Sequence, residues 1–222
     1  MKYYPVFLDV KDRQCLVVGG GSVGLRKAVM LEKCGAQVTV VSRDFDAGRQ
    51  SGNKGSMVLK QKRYDKKDLD GMFMILAATD DKELNRRICS DAAALNILTN
   101  VADAPELSDF ILPAVVAQKD LMIAVSTGGA SPAVAKRIRR ELSEQFGPEY
   151  GQLLDLMRAV RKKLLSQGHD PDAHKEKFHA LLEYGILKKI KTGDSKAVDQ
   201  ILEDLLGDGY QYETLLSKGS SG

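Results

Sequence analysis

One segment, Cys15-Leu16-Val17-Val18-Gly19-Gly20-Gly21-Ser22-Val23-Gly24, constrains the fold more than any other part of the chain. A β-branched run leads directly into Gly19-x-Gly21-x-x-Gly24, and an amphipathic pattern from Ser22 to Lys33 follows at once. Strand, glycine turn and helix in that order open a βαβ unit. The first glycine permits the tight turn, and the second lets a pyrophosphate approach backbone N–H groups. The third allows helix and strand to pack closely. Phosphates would then lie at a helix N-terminus, where unpaired amides and the dipole favour anions. A plain βα turn without a ligand can carry the same glycines. The agreement of strand, turn and helix favours a dinucleotide.

The rest of the N-terminal half extends that unit. Gln14–Val18, Gln37–Ser42, Met57–Lys62, Met72–Ala78 and Ile97–Val101 each read as a strand, and Ser22–Lys33 and Lys82–Leu95 as helices. Alternation at this spacing predicts an α/β fold with a Rossmann-like, mostly parallel sheet over residues 1–113. Asp44 to Gly55 is too rich in glycine and polar residues for a helix and reads as a loop or degenerate crossover. Residues 114–150 form a small α+β region. It has a strand pair, Ala114–Ala117 and Leu121–Ser126, and a helix with Ser131 as N-cap and Pro132 at its first position. Val134, Ile138, Leu142 and Phe146 make an apolar stripe on that helix, which Gly147-Pro148 ends. Residues 151–222 show only helical spacing and read as a C-terminal helical domain, with a disordered tail from Ser217 to Gly222.

Several strand ends carry polar residues of chemical interest. Ligands on open α/β sheets bind outside the carboxyl ends of the strands. About 20 residues past the glycines stand Ser42, Arg43 and Asp44. Asp44 suits the ribose hydroxyls of NAD, whereas Arg43 would neutralise the 2′-phosphate of NADP; the spacing favours NAD. Thr79 ends the fourth strand in Ala77-Ala78-Thr79-Asp80-Asp81, where Asp80 with Glu83 also reads as a helix-capping pair. Asn100-Val101-Ala102-Asp103-Ala104-Pro105 ends the fifth, and Asp103 there is either a proton acceptor or a turn cap before Pro105. Ser126-Thr127-Gly128-Gly129-Ala130-Ser131-Pro132 is a second glycine-rich turn opening a helix that carries Lys136, Arg137, Arg139 and Arg140. A backbone anion nest beside those cations suits a polyanionic substrate, although such a run often makes only a solvated helix face.

Composition removes other classes. With 33 basic and 30 acidic residues, the net charge of +3 gives no footprint for nucleic acid. Three scattered cysteines, Cys15, Cys34 and Cys89, form no CxxC pair and fit reduced thiols in the cytoplasm. No apolar run approaches the ~18 residues of a membrane span, and the start of the chain lacks a signal-peptide core. His169, His174 and His179 recur at spacings of five, which separates them around a helix; surface positions and no metal site are expected.

Taken in order, these motifs resemble the precorrin-2 dehydrogenase / sirohydrochlorin ferrochelatase family, the siroheme-synthase N-terminal type. The resemblance rests on Tyr4-Pro5-Val6-Phe7-Leu8-Asp9-Val10, the glycine turn continued through Leu25-Arg26-Lys27-Ala28, the two strand ends at Ala77–Asp81 and Asn100–Pro105, Phe110-Ile111-Leu112-Pro113-Ala114, and the turn from Ser126 to Pro132. It covers residues 1–150. It implies oxidation of precorrin-2, a polycarboxylate tetrapyrrole, to sirohydrochlorin with NAD, on the route to siroheme or cobalamin. It also implies a homodimer built through residues 114–150, with Asp103 as the essential aspartate and cofactor contacts at Ser22, Val23, Arg43 and Asp44. Gly19, Gly21, Gly24 and Thr79 complete the expected cofactor site. Asn100, Ser126, Thr127, Gly128, Lys136 and Arg137 are the expected substrate contacts. Where the family has a phosphorylatable serine, this chain has Thr127. Two other readings stay open: an enzyme that also inserts ferrous iron into sirohydrochlorin as a lyase, and a non-catalytic NAD-binding sensor.

Overall fold

The computed structural model describes residues 2–46, 56–102, 104–167 and 173–219. They fall into two compact units, Met1–Leu112 and Pro113–Gly222.

The first unit is a parallel sheet flanked by helices. Its elements are β1 (Gln14–Gly20), α1 (Ser22–Lys33), β2 (Gln37–Phe45), β3 (Val58–Gln61), β4 (Met74–Ala77), α2 (Lys82–Ala93) and β5 (Leu98–Val101). The strand order is β3-β2-β1-β4-β5, and every pairing is parallel. Side chains alternate across the central strands, as the two-residue period of a strand requires. Cys15 and Val17 of β1 pack with Leu25 and Ala28 of α1. Leu16 and Val18 face the opposite side, with Ile75, Ile88 and Ala92. Leu16 and Ile75 are fully buried, each contributing about 1.5–3 kcal/mol of apolar transfer. Because both faces of β1 and β4 are covered, those strands read as continuous apolar runs rather than alternating ones.

The strand limits differ from the sequence expectation in one informative place. β2 continues past Ser42 to Phe45, because a register shift between Val18 and Gly20 pairs Gly20 with Phe45. A Cβ on Gly20 would stand 2.5 Å from Asp44 O and 2.6 Å from Phe45 Cδ1. The missing side chain lets the end of β2 lean onto the glycine turn. The expected capping pair is also displaced by one residue: Asp81, not Asp80, caps α2, its Oδ1 accepting the Leu84 N–H at 3.0 Å. Asp44–Gly55, expected as a loop or crossover, lies outside the described residues from position 47 onward.

In the second unit β6 (Ala114–Gln118) and β7 (Leu121–Val125) form an antiparallel hairpin. Then come α3 (Pro132–Gln145), α4 (Pro148–Ser166), α5 (Ala173–Glu183), α6 (Ile186–Lys191), α7 (Ser195–Leu206) and α8 (Tyr212–Gly219). Ser131 caps α3 through the Val134 N–H. Gly147 and Pro148 both stop α3 and start α4, as its N-cap and first residue. Leu156, Val160 and Leu164 on α4 meet Leu181, Ile186 and Leu202 in an apolar core. The stripe expected on α3 is only partly used within its own unit: Val134 is 47% and Ile138 36% exposed, while Ala135 is buried.

Two expectations for this half are corrected. His174 is not a surface residue: it is buried, with its ring edge-on to Phe178 at 6.5 Å. On α5 it shares the stripe of Phe178 and Leu181, four and seven residues on, and that stripe faces the core. His179 is exposed, and His169 lies outside the described residues. The tail is helical further than expected, since α8 runs to Gly219 with buried Leu215 anchoring it.

Candidate functional site: a cleft at the carboxyl ends of the sheet

The glycine turn divides its labour as the sequence suggests. Gly19 has φ +120°, and a Cβ there would meet Ala78 O at 2.3 Å. A Cβ on Gly24 would meet Gly19 O at 2.1 Å, so this position serves the close approach of α1 to the turn. Gly21 is different: an added Cβ would find nothing within 4 Å. It is the open side of the turn. Gly21 is also the N-cap of α1 and supplies no side-chain cap, and the first turn holds no acidic residue. The first intrahelical bond runs from Leu25 N–H to Gly21 O. The N–H groups of Ser22, Val23 and Gly24 therefore precede any intrahelical partner, and their dipoles and the helix dipole point at the opening. An anionic diphosphate fits this cradle.

A cleft of about 650 Å³ opens there, lined by Gly19–Val23, Ser42–Asp44, Asp46, Lys62–Tyr64, Ala78–Asp81, Leu84 and Arg87 among others. The expected cofactor residues Gly19, Gly21, Ser22, Val23, Arg43, Asp44 and Thr79 all line it. Gly24 stands behind it as a packing residue. Ser42 Oγ donates to Asp44 O at 2.6 Å and Gln61 Nε2 to Arg43 O at 3.1 Å, which fixes this backbone while both side chains stay exposed. The cleft thus presents an acid and a base side by side at the carboxyl end of β2. The Thr79 hydroxyl lies 2.7 Å from Asn85 Oδ1, and Asn85 Nδ2 donates to Thr79 O at 2.9 Å, locking the turn after β4.

Sequence reasoning missed Lys62, Arg63, Tyr64, Leu84 and Arg87. The available signal was position: the first three follow β3 at its carboxyl end, and Leu84 and Arg87 are one helical turn apart at the start of α2. Tyr64 donates to Asp91 Oδ2 at 3.2 Å. Burial first, and the Asp91 charge next, push its phenol well above the ordinary tyrosine range, so it remains a neutral donor.

At the end of β5, Asn100 is buried and commits both ends of its amide within this unit. Its Oδ1 accepts from Lys27 Nζ at 2.8 Å, and its Nδ2 donates to Phe110 O at 2.8 Å. Asp103 lies outside the described residues.

The second unit carries the other glycine-rich turn. Gly128 and Gly129 have φ +63° and +90°. Three of the turn's amides bond locally: Gly128 N–H to Ser126 Oγ, Ala130 N–H to Thr127 O, and Ser131 N–H to Thr127 Oγ1. Much of the expected nest is therefore satisfied by the chain's own oxygens. Lys136 and Arg137 are exposed on α3, and Arg137 Nε pairs with Glu141 Oε1 at 2.9 Å. Among the described residues, no group of three or more His, Cys, Asp and Glu side chains gathers to hold a metal ion. No described helix is long and apolar enough to cross a membrane.

A parallel sheet with a glycine fingerprint flooring a cleft at its strand ends defines an NAD(P)-binding protein of the doubly wound class. Comparisons with known proteins agree and narrow it. Residues 6–114 match a family described as NAD(P)-binding, and residues 118–145 match the central region of sirohaem biosynthesis proteins. The siroheme synthase of Nitrosococcus oceani is 33% identical over 96% of this chain and 46% of its own length. That of Chromobacterium violaceum is 35% identical over 94% of this chain and 45% of its own length. The chain thus spans less than half of each of these relatives. A solved structure of SirC, a precorrin-2 dehydrogenase, superimposes with a TM-score of 0.71 at 27% identity, covering 90% of this chain and all of that one. The chain belongs to the siroheme synthase and precorrin-2 dehydrogenase family.

Proposed function

We propose that this chain oxidises precorrin-2 to sirohydrochlorin with NAD in siroheme biosynthesis, as a homodimer in the cytoplasm. The observation that carries the reading is the open side of the glycine turn at Gly21, facing a cleft bordered by every expected cofactor residue except Gly24. Similarity to SirC over 90% of this chain supports the substrate. In this reading the amides of Ser22 and Val23 hold the diphosphate, Thr79 shapes the wall, and Asp44 takes the ribose hydroxyls, with Arg43 beside it. NAD, when bound, supplies the hydride acceptor. Oxidation removes a hydride and a proton from precorrin-2 and leaves one new double bond, and Asp103 accepts the proton as general base.

Precorrin-2 carries many carboxylates, and the exposed cations Lys136 and Arg137, with Ser126, Thr127 and Gly128 at the start of the same helix, are proposed to bind them. Asn100 joins them only by releasing Lys27 or Phe110, so its main part is to hold the end of β5. The exposed Val134 and Ile138 on α3 and Met122 on β7 support self-association through residues 114–146.

The base assignment is tested by Asp103→Asn, which keeps shape and removes the acceptor. Turnover should fall by roughly 10² to 10⁴ with NAD affinity unchanged; near wild-type turnover withdraws Asp103 as the base. The name of the relatives favours a second activity, insertion of ferrous iron into sirohydrochlorin. Supplying both and following siroheme absorbance decides it.

A further inference from the structure

We propose that the cleft accepts NADP as well as NAD, with Arg43 and Arg63 together holding the 2′-phosphate. This rests on the reading of the cleft as a dinucleotide site and goes on to its choice of cofactor.

β2 and β3 are neighbouring parallel strands, so their carboxyl ends open on the same cleft. Their register pairs Ser42 with Gln61. Past that pair, Lys62 N–H donates to Ser42 O at 2.9 Å and Gln61 Nε2 to Arg43 O at 3.1 Å. The backbone at Arg43 is therefore tied to the segment that delivers Lys62 and Arg63. Arg63 is pinned on its other side as well, since the next residue, Tyr64, is buried and donates to Asp91 Oδ2 on α2. Two guanidinium groups thus come from adjacent strand ends on a fixed backbone, both exposed and both lining the cleft.

The cations that line the cleft are not equivalent. Lys62 Nζ is held by Asp68 Oδ1 at 2.6 Å, and Arg87 Nε lies 3.8 Å from Asp91 Oδ2. Among the described residues, Arg43 and Arg63 have no ion-pair partner. The acids of the cleft are drawn to its other side. Asp44 O accepts from Ser42 Oγ and lies 2.5 Å from where a Cβ on Gly20 would stand. Asp46 N–H donates to Gly20 O at 3.2 Å. Both backbones therefore lean onto the glycine turn, where the ribose hydroxyls adjoin the diphosphate. Asp80 and Asp81 follow β4, which lies across β1 from β2, and Asp81 is committed to capping α2. Positive charge is left on the outer side, toward β3. A site restricted to NAD sets a carboxylate against the 2′-hydroxyl, whereas an arginine nearby accommodates the 2′-phosphate. That phosphate carries about −1.5 to −2 charges at neutral pH, and the planar guanidinium fork matches its oxygens in pairs. With Asp44 inside and two arginines outside, the cleft has partners for either cofactor.

The test titrates the purified chain by calorimetry with NAD, NADP, AMP and adenosine 2′,5′-bisphosphate, as wild type, Arg43→Ala, Arg63→Ala and Asp44→Asn. NADP should bind wild type within about tenfold of NAD, and the bisphosphate should bind at least as tightly as AMP. Arg43→Ala and Arg63→Ala should each lower the ratio of NADP to NAD affinity by about tenfold or more, the worth of a charge-assisted hydrogen bond to phosphate. Asp44→Asn should raise that ratio, because it removes the repulsion and keeps the shape. NADP bound more than about tenfold weaker than NAD overturns the proposal. An unchanged ratio in Arg63→Ala overturns it too, even where both affinities fall, because Arg63 then serves only the part the two cofactors share. Binding of neither dinucleotide by wild type removes the cofactor site itself, and the proposal falls with it. Should Arg63→Ala not fold, Arg63→Gln carries the same comparison, and an unchanged ratio there overturns the proposal.

Discussion

Gly21→Asp should make the protein slightly more stable while removing its ligand. The position is the N-cap of α1, with φ −75°, ψ 177° and no side-chain cap, and an added Cβ meets nothing within 4 Å. Aspartate is a preferred N-cap and gains a few tenths of a kcal/mol over glycine. Its charge at the helix N-terminus adds about 0.3–1 kcal/mol. A total near 1 kcal/mol should raise the Tm of the N-terminal unit by several degrees, about 4–8 °C per kcal/mol at this size. The same carboxylate would stand where the diphosphate approaches. Two unit charges about 4 Å apart at an effective dielectric of 20 repel by about 4 kcal/mol, which is about 10³-fold in affinity. Calorimetric titration with NAD and a thermal melt on the same sample read both effects. Wild-type NAD affinity would refute the role of the glycine turn, and a fall in Tm would refute the open-side geometry at Gly21.

Three further outcomes follow from particular contacts. Ile138→Glu places a carboxylate on the exposed stripe of α3. It should weaken self-association by at least about 100-fold through an unpaired buried charge; a wild type that sediments as a monomer at micromolar concentration removes the dimer altogether. Glu149 is buried, and its own backbone N–H first, then the Lys191 ammonium 3.2 Å away, hold its carboxyl below the ordinary 4.5. A depressed carboxylate stabilises the fold above its unfolded value and loses that effect as pH falls through the folded one. Glu149→Gln should therefore lower Tm at neutral pH, with the gap to wild type closing below pH 4.5; a gap independent of pH would contradict this. Burial pushes the Cys15 thiol up to about 11, whereas Cys34 is exposed. Iodoacetamide at neutral pH should label native Cys34 and leave Cys15 unmodified until unfolding; equal labelling of both in the native protein refutes the burial argument.

What could be read from residue order and what could not divide along physical lines. The limits of α1 coincide with the expected Ser22–Lys33, because capping, glycine placement and helical period are local and agree with one another. The five strands were legible as β-branched runs for the same reason. The end of β2 was not, since its extension to Phe45 depends on Gly20 lacking a side chain beneath another strand. Asp80 and Asp81 compete for one cap, and the side-chain bond to Leu84 N–H, a matter of one residue of helix phase, decides for Asp81. His174 was misjudged by considering only its spacing to other histidines; its spacing to Phe178 and Leu181 carried the correct answer. In the site, the glycine turn was visible because its chemistry lies in consecutive residues. Lys62–Tyr64 after β3, and Leu84 and Arg87 on α2, come from two separate parts of the chain that only the sheet order brings to one cleft. The local satisfaction of the turn at Thr127 is a matter of side-chain hydrogen bonds within the turn, with no signature in composition or period.

The central claim is the reaction itself. Incubating the purified chain with enzymatically made precorrin-2 and NAD, without added metal, and recording NADH together with the tetrapyrrole spectrum tests it most directly. The account predicts NADH and sirohydrochlorin appearing in equal amounts, at a rate that falls with Asp103→Asn. Binding of NAD with no NADH formed and an unchanged precorrin-2 spectrum would contradict it and leave a dinucleotide-binding protein without this activity.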